Sequence, residues 1–275
     1  MRLTVLGSVN DPGTPGKTGD DRFGHDESAG RAWVLDGATD VSPLKPFPNH
    51  ESGAAWYAET LSSWLTAHSP EGMPDARYWT TAIEAMRDAA DTTSEIPLHC
   101  LPKDTSPIAA LMAAHLVDGR IHFSWLGDSM ALVKETSGDV YVVGTEEKAD
   151  AETDDAKRLM ALSEEARMRE LRNQRAAQNT HRFWVFGLDA SAADHVKTKD
   201  IRAEPGLEIL LMTDGLFRLI SPYKTYTPRQ MFDALQTSGL DGLINTLRDY
   251  EAKPGGTTRI KQRDDSCGVW LRVGA

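Results

Sequence analysis

Short apolar runs separated by polar and glycine-rich stretches dominate the hydrophobic pattern of this chain. Runs of this length are typical of β-strands. They lie at residues 2–9, 31–36, 107–117, 121–127, 130–134, 139–143, 183–188, 195–201, 207–213 and 266–273. Asp118-Gly119 and Ser137-Gly138 punctuate the four runs between 107 and 143, which is a hairpin signal. The pattern predicts a β-meander there, with Gly127-Asp128-Ser129 at one internal turn.

Helical spacing of apolar residues appears between these strand-like runs. Residues 51–67 place Trp56, Leu61 and Trp64 on one face, and residues 75–91 do the same with Trp79, Ile83 and Met86. Further helices are predicted at 214–220, 227–238 and 239–252. Strands that cluster with helices grouped between them favour an α+β fold rather than a doubly wound parallel sheet. We expect a single domain over residues 1–275.

Residues 146–180 are highly charged and rich in Ala, Glu, Arg and Leu. This composition predicts a long helix or a helix pair. Its arginines could contact an acidic or phosphorylated substrate, but a charge run of this kind more often forms a solvated face. The residues concerned are Arg167, Arg169, Arg172 and Arg175.

The charge balance limits the classes of partner. With 30 Lys+Arg against 41 Asp+Glu, the formal net charge is −11, which disfavours nucleic acid and anionic membranes as partners. Cys100 and Cys267 fit neither a disulfide framework nor a zinc pattern. The N-terminus turns polar too early for a signal peptide, and no stretch is long enough for a membrane span. We therefore expect a cytoplasmic protein.

An aspartate stands at the end of four apolar runs. These residues are Asp36, Asp128, Asp214 and, preceding its run, the Asp264-Asp265 pair. A carboxylate where a buried strand ends is costly unless it is paired, hydrogen-bonded or bound to metal. Each one taken alone is equally explained as a turn or helix-cap residue. Together they form an oxygen-rich set that suits Mg²⁺ or Mn²⁺. The chain contains no nucleophile elbow, P-loop or His-Glu-x-x-His motif.

Five segments in chain order resemble the signature blocks of the metal-dependent protein phosphatases of the protein phosphatase 2C type. They are Asp20-Asp21, Val34-Leu35-Asp36-Gly37, Leu126-Gly127-Asp128-Ser129, Thr213-Asp214-Gly215-Leu216-Phe217 and Asp264-Asp265. The resemblance extends from about residue 3 to residue 273. It implies a four-layer αββα sandwich, in which two antiparallel sheets are flanked by helices, and a metal-dependent serine/threonine phosphatase of bacterial type.

The resemblance also implies roles for individual residues in a centre of two Mg²⁺ or Mn²⁺ ions. Asp36 would bridge both ions, and Gly37 would offer its carbonyl oxygen. Asp214 and Asp264 would hold one ion, and Asp20 or Asp21 would hold the other. Asp128 corresponds to the residue that binds a third ion in many bacterial members. Asp265 stands where the family often has Asn, so either residue of that pair remains a candidate ligand, with Asp264 preferred. The metals would activate a water that attacks phosphorus.

Three features depart from the family pattern, and one of them, the block Thr105-Ser106-Pro107-Ile108-Ala109 before the meander, concerns mainly packing. Gly16 stands where an arginine usually grips the substrate phosphate, so Lys17 or Arg22 would have to replace it. Lysine would act as a point charge rather than as a bidentate fork. Ala38 stands where many eukaryotic members have a histidine that can act as a general acid. The catalytic candidates are therefore Asp36, Lys17 and Arg22.

Two other functions remain open from the sequence. One is a regulatory or binding domain of the same fold with weak or no catalysis, which the absent arginine at position 16 motivates. The other is a phosphatase for a small metabolite. The main interpretation implies a phosphorylated protein substrate and a partner serine/threonine kinase. The segment near 146–180 lies where related phosphatases carry a flap or insertion, so it is a candidate for substrate selection.

Overall fold

A computed structural model describes residues 1–144, 158–180, 183–253 and 263–275 of the chain. Within these residues ten strands form two antiparallel sheets. The strands are β1 Arg2–Asp11, β2 Arg22–Asp26, β3 Arg31–Gly37, β4 Ala109–Val117, β5 Arg120–Leu126, β6 Met130–Lys134, β7 Val140–Val143, β8 Lys197–Arg202, β9 Glu208–Met212 and β10 Ser266–Gly274. The first sheet has the order β1-β10-β9-β6-β7, and the second has the order β2-β3-β4-β5-β8.

Five α-helices lie within the described residues. They are α1 Gly53–Ala67, α2 Ala76–Thr93, α3 Glu164–Ala176, α4 Asp214–Phe217 and α5 Pro228–Glu251. Side-chain caps fix where they begin: Ser52 and Asp75 cap α1 and α2, and Thr227 and Gln230 form a capping box on α5. Gly239, with φ 69°, breaks α5 into two helical segments, which agrees with the two helices expected at 227–238 and 239–252.

Apolar side chains pack at three successive interfaces. One cluster joins α1 and α2 to the outer face of the second sheet through residues such as Trp33, Leu61 and Trp79. Another fills the space between the sheets. A third packs α4 and α5 on the outer face of the first sheet. Each sheet is thus covered on both faces, which produces four layers. The expected αββα sandwich is confirmed.

The predicted β-meander is wrong. β4 and β5 pair in the second sheet, whereas β6 and β7 pair in the first. The chain crosses between the sheets at Gly127-Asp128-Ser129. Gly127 has φ +97°, and a Cβ atom on it would lie 2.4 Å from Cβ of Ala110, so this crossing requires glycine. The hairpin signals on either side identify local turns and carry no information about which sheet each strand joins.

Two further features differ from the expectations, and one expectation lies partly outside the described residues. The sequence pattern does not predict β2, because its sequence Arg-Phe-Gly-His-Asp is short and polar. Residues 183–188 form only an isolated bridge, between Phe186 and Ala109, instead of a strand. The predicted helical segment near 146–180 is described only from residue 158, where α3 occupies part of it; residues 145–157 lie outside the described residues. None of the described helices is long and apolar enough to cross a bilayer.

Candidate active site

Asp36 and Asp214 lie where the two sheets meet. Asp36 is the penultimate residue of β3 in the second sheet. Asp214 begins α4 directly after β9 of the first sheet. The backbone N–H of Asp214 donates to Oδ2 of Asp36 over 3.3 Å. Two strand ends from different sheets therefore bring Asp36 and Asp214 next to each other.

Burial and mutual repulsion characterise this group of carboxylates. Burial raises the pKa of Asp36 well above its ordinary value, and the negative charges of Asp21, Asp214, Asp128 and Asp264 raise it further. Asp128, at the crossing between the sheets, is thus among the charges that act on Asp36. Carboxylates in such surroundings are neutralised either by protons or by bound cations.

Asp21 belongs to the same group, whereas Asp20 points elsewhere. The Asp21 side chain is almost fully buried and accepts a hydrogen bond from Thr213 Oγ1 over 2.7 Å. Burial raises the pKa of Asp21, the Thr213 hydrogen bond lowers it, and neighbouring aspartates raise it again. Asp20 instead accepts a hydrogen bond from Ser52 Oγ, the residue that also caps α1.

The two carboxylates of the Asp264-Asp265 pair make different contacts. Oδ1 of Asp265 accepts from the backbone N–H of Gly13 over 2.9 Å, and Oδ2 accepts from the backbone N–H of Asp20 over 2.5 Å. Asp265 thereby ties down the loop that carries Asp20 and Asp21. Asp264 forms an ion pair with Arg218. These contacts favour Asp264 over Asp265 as a metal ligand. Both oxygens of the buried Asp265 accept backbone hydrogen bonds that hold the loop, whereas Asp264 is 24% exposed and its Oδ2 faces a side-chain cation that a metal ion could displace.

Two glycines permit the close packing of these segments. A Cβ atom on Gly37 would lie 2.5 Å from the carbonyl oxygen of Asp20, and one on Gly215 would lie 1.9 Å from the carbonyl oxygen of Asp265. Real Cβ atoms do not approach that closely, so a side chain at either position would push the segments apart. The glycines that follow Asp36 and Asp214 are therefore explained by the close approach of neighbouring backbone segments.

The two cations proposed to replace an arginine at position 16 have different surroundings. Arg22 donates from Nη1 to the carbonyl oxygens of Gly19 and Asp21, at 3.0 and 2.7 Å. Its guanidinium therefore supports the aspartate loop. The Lys17 side chain is 59% exposed and lies 3.8 Å from Glu51. Of the two, Lys17 is the more available to an incoming anion.

The oxygen donors of these residues suit a hard divalent cation, although the carboxylates do not converge on one point. Asp21, Asp36, Asp214 and Asp264 offer only oxygen atoms, and burial, followed by repulsion among the aspartates, raises the pKa of Asp21 and Asp36. Among the described residues, no three His, Cys, Asp or Glu side chains are drawn together tightly enough to hold an ion. The chemistry of the donors, rather than the spacing of the side chains, is what suits a divalent cation.

Sequence reasoning missed several residues that support the site. Thr213 and Ser52 hold Asp21 and Asp20, and Arg218 pairs with Asp264.

The prediction of a solvated arginine face on the charged segment is wrong for two residues of α3. Arg175 donates to the carbonyl oxygens of Ala38 and Thr39, and Arg172 donates to that of Val41. No periodicity in a mostly polar helix distinguishes these two arginines from its exposed ones.

Comparisons with known proteins agree with this geometry. The family model of protein phosphatase 2C matches residues 14–250. The fold is similar to that of the Mycobacterium tuberculosis serine/threonine phosphatase PstP/Ppp, with 13% identity, TM-score 0.62 and coverage of 100% of both chains.

Two further structures extend this similarity. A catalytic domain of PstP in complex with two manganese ions has 16% identity and TM-score 0.57, with 100% of this chain and 99% of that one covered. The S. agalactiae serine/threonine phosphatase has 14% identity and TM-score 0.57, with coverage of 99% and 100%. Among curated protein sequences, none is significantly similar. The family match over most of its length identifies this chain as a member of the protein phosphatase 2C family, a family of serine/threonine phosphatases.

Proposed function

We propose that this chain hydrolyses phosphoserine and phosphothreonine esters of proteins at the aspartate cluster between the two sheets, with two Mg²⁺ or Mn²⁺ ions as cofactors. The observation that carries the proposal is the meeting of Asp36 and Asp214, from different sheets, in a partly buried group of carboxylates. Divalent cations would stabilise the charged form of such a group. A PstP structure is described with two manganese ions and an RsbX structure with magnesium, which supports this choice of metals.

We infer the residues that would hold the ions from the family resemblance, and their places in the cluster support the assignment. Asp36 would contribute to both ions, with the carbonyl oxygen of Gly37 beside it. Asp214 and Asp264 would hold one ion, and Asp21, with Asp20 behind it, would hold the other. Asp128 would serve a third, weaker position. When bound, such ions supply an activated water and neutralise charge on the phosphoryl oxygens.

The protein's own groups would orient the reactants. Thr213 and Asp265 hold the Asp20-Asp21 loop against the cluster. Lys17, on the exposed side of that loop, would attract the phosphate as a point charge, and Arg22 would keep the loop in place. A partner serine/threonine kinase and a signalling role belong to this proposal as expectations from the family resemblance, and a cytoplasmic location belongs to it as an expectation from the sequence.

Turnover with defined cofactors tests the function. We would measure hydrolysis of para-nitrophenyl phosphate and of a phosphothreonine peptide with Mn²⁺, with EDTA and in Asp36→Asn. Asp249→Asn, an exposed position on α5, is the matched control. We expect turnover that requires metal, is abolished in Asp36→Asn and persists in Asp249→Asn. Activity that survives EDTA or the Asp36 change would refute the proposal.

A negative result can also be interpreted. Wild-type protein that binds Mn²⁺ but hydrolyses neither compound would indicate the regulatory domain considered from the sequence. Turnover of a small phosphate ester at a high rate with none on peptides would favour the metabolite phosphatase.

A further inference from the structure

A network of partly buried charges includes the candidate metal ligand Asp264. It consists of two arginines and three carboxylates from β1, the end of α4, α5 and the segment before β10. The members are Asp11, Arg218, Arg248, Glu251 and Asp264. The Arg218 and Glu251 side chains are 3% and 0% exposed. None of these residues except Asp264 is part of the aspartate pattern.

Arg218 connects this network to the site. Its Nη2 atom pairs with Oδ2 of Asp264, and its Nη1 atom lies 3.7 Å from Oε1 of Glu251. The second oxygen of Asp264 accepts the backbone N–H of Asp265 over 3.2 Å. Both oxygens of Asp264 therefore already face donors of the protein. A metal ion at Asp264 must share this carboxylate with a guanidinium group or displace it.

Glu251 keeps Arg218 in this position. Oε2 of Glu251 accepts from Nη1 of Arg248 over 2.7 Å, and Arg248 also binds Asp11 and the backbone carbonyl of Asp264. Arg248 thus fixes both Glu251 and the main chain of Asp264. Burial alone would lower the pKa of Arg218, but the charges of Asp264 and Asp214 raise it overall, so Arg218 remains a full positive charge next to the cluster.

We propose that Arg218 is an internal counter-cation that competes with divalent metal for Asp264. The metal position built from Asp214 and Asp264 is therefore filled only at a higher metal concentration than the position beside Asp21 and Asp36. The inference rests on the proposed function, because it concerns the same metal centre. A positive charge next to a cation site weakens binding there through repulsion, and it neutralises the cluster until the second ion arrives.

Isothermal titration with Mn²⁺ tests the competition. We expect two binding steps in the wild type, the weaker by tenfold or more. In Arg218→Gln the weaker step should tighten by about tenfold. Arg229→Gln, the same change at an exposed position of α5, should leave both steps as in the wild type. A weaker step that is unchanged or weakened in Arg218→Gln overturns the inference, as do two equal steps in the wild type.

If circular dichroism shows that Arg218→Gln does not fold, a second measurement on the wild-type protein tests the inference. In wild-type protein titrated with diamagnetic Mg²⁺, the side-chain Nε–H resonance of Arg218 should shift with the weaker binding step. A resonance that stays fixed to saturation overturns the inference. Turnover assayed on the same samples separates the two proposals. Metal-dependent turnover with an unaltered Arg218→Gln titration refutes the inference alone, whereas a wild type that neither binds metal nor hydrolyses substrate refutes the proposed function as well.

Discussion

The hydroxyl of Thr213 donates a 2.7 Å hydrogen bond to the buried carboxylate of Asp21 and accepts one from the backbone N–H of Cys267 over 2.9 Å. Thr213 follows β9 in the first sheet, and Asp21 precedes β2 in the second. One side chain thus connects the two sheets at the candidate site. It also holds a carboxylate that the neighbouring charges repel.

Replacing Thr213 by valine keeps the shape of this side chain and removes both hydrogen bonds. We expect a loss of about 2 kcal/mol in the free energy of unfolding, because a buried carboxylate and a buried N–H lose a partner. Thr213→Ser retains the hydroxyl and should lose less. Urea denaturation of both variants measures the difference. Equal losses would mean that packing of the methyl group, and not hydrogen bonding, explains the effect.

The two members of the Asp264-Asp265 pair should differ in their effect on metal binding. Asp264→Asn is expected to weaken the Mn²⁺ step at that carboxylate by about tenfold or more, or roughly 1.4 kcal/mol. Asp265→Asn should mainly lower stability, because it places an amide N–H₂ opposite a backbone donor. Calorimetric titration and thermal unfolding of both variants provide the comparison. A larger loss of Mn²⁺ affinity in Asp265→Asn would reverse the assignment.

Arg175 should influence catalysis without binding metal. Its side chain is buried and donates to the carbonyl oxygens of Ala38 and Thr39 at 3.2 and 2.9 Å, directly after Asp36-Gly37. In Arg175→Met we expect kcat/KM on a phosphopeptide to fall about tenfold, which corresponds to roughly 1.4 kcal/mol of transition-state stabilisation, with Mn²⁺ affinity unchanged. Arg169→Met, at an exposed position of the same helix, is the control. An equal fall in both variants would contradict a specific role of the Arg175 contacts.

Gly215 should tolerate no side chain. The Cβ atom of Gly215→Ala would lie 1.9 Å from the carbonyl oxygen of Asp265, so α4 or the segment before β10 must move. We expect a loss of roughly 3 kcal/mol or more and a lower Tm. In Gly7→Ala the nearest side-chain atom lies 3.6 Å away, and the change should stay within about 0.5 kcal/mol. Differential scanning calorimetry measures both, and a mild effect in Gly215→Ala would show that the close approach relaxes easily.

Stability should fall in mild acid because of His115. Burial, followed by the neighbouring His122 and Arg31, lowers the pKa of His115 from 6.5 to about 3. Below pH 6.5 the unfolded chain therefore binds a proton that the folded protein refuses. The free energy of unfolding should drop as the pH falls from 6.5 towards 3, by about 2 kcal/mol at pH 5 from this residue.

The variant His115→Leu tests this origin of the pH dependence. It removes the titrating group at a buried position, so its unfolding free energy should fall less between pH 7 and pH 5 than that of the wild type. Urea denaturation at both pH values measures the two slopes. Identical slopes would assign the acid sensitivity to other groups.

Local patterns determined much of this protein. The apolar runs around Asp36 and Asp214 predict strands, and the tryptophan spacing in residues 51–67 and 75–91 predicts α1 and α2, because periodicity reports directly which side chains are buried. The order of the aspartate blocks indicated the family and the carboxylate site.

Only the tertiary structure decided the features that depend on contacts between residues far apart in the sequence. Four features join segments that are far apart in the chain. They are the crossing at Gly127, the backbone hydrogen bonds to Asp265, the ion pair of Arg218 with Asp264 and the contacts of Arg175 with the Ala38-Thr39 loop. A sequence pattern records whether a residue is polar or apolar. The polar group that each residue contacts is fixed only when the sheets and helices pack. These contacts decide whether an aspartate is a candidate metal ligand, like Asp264, or holds the ligands in place, like Asp265.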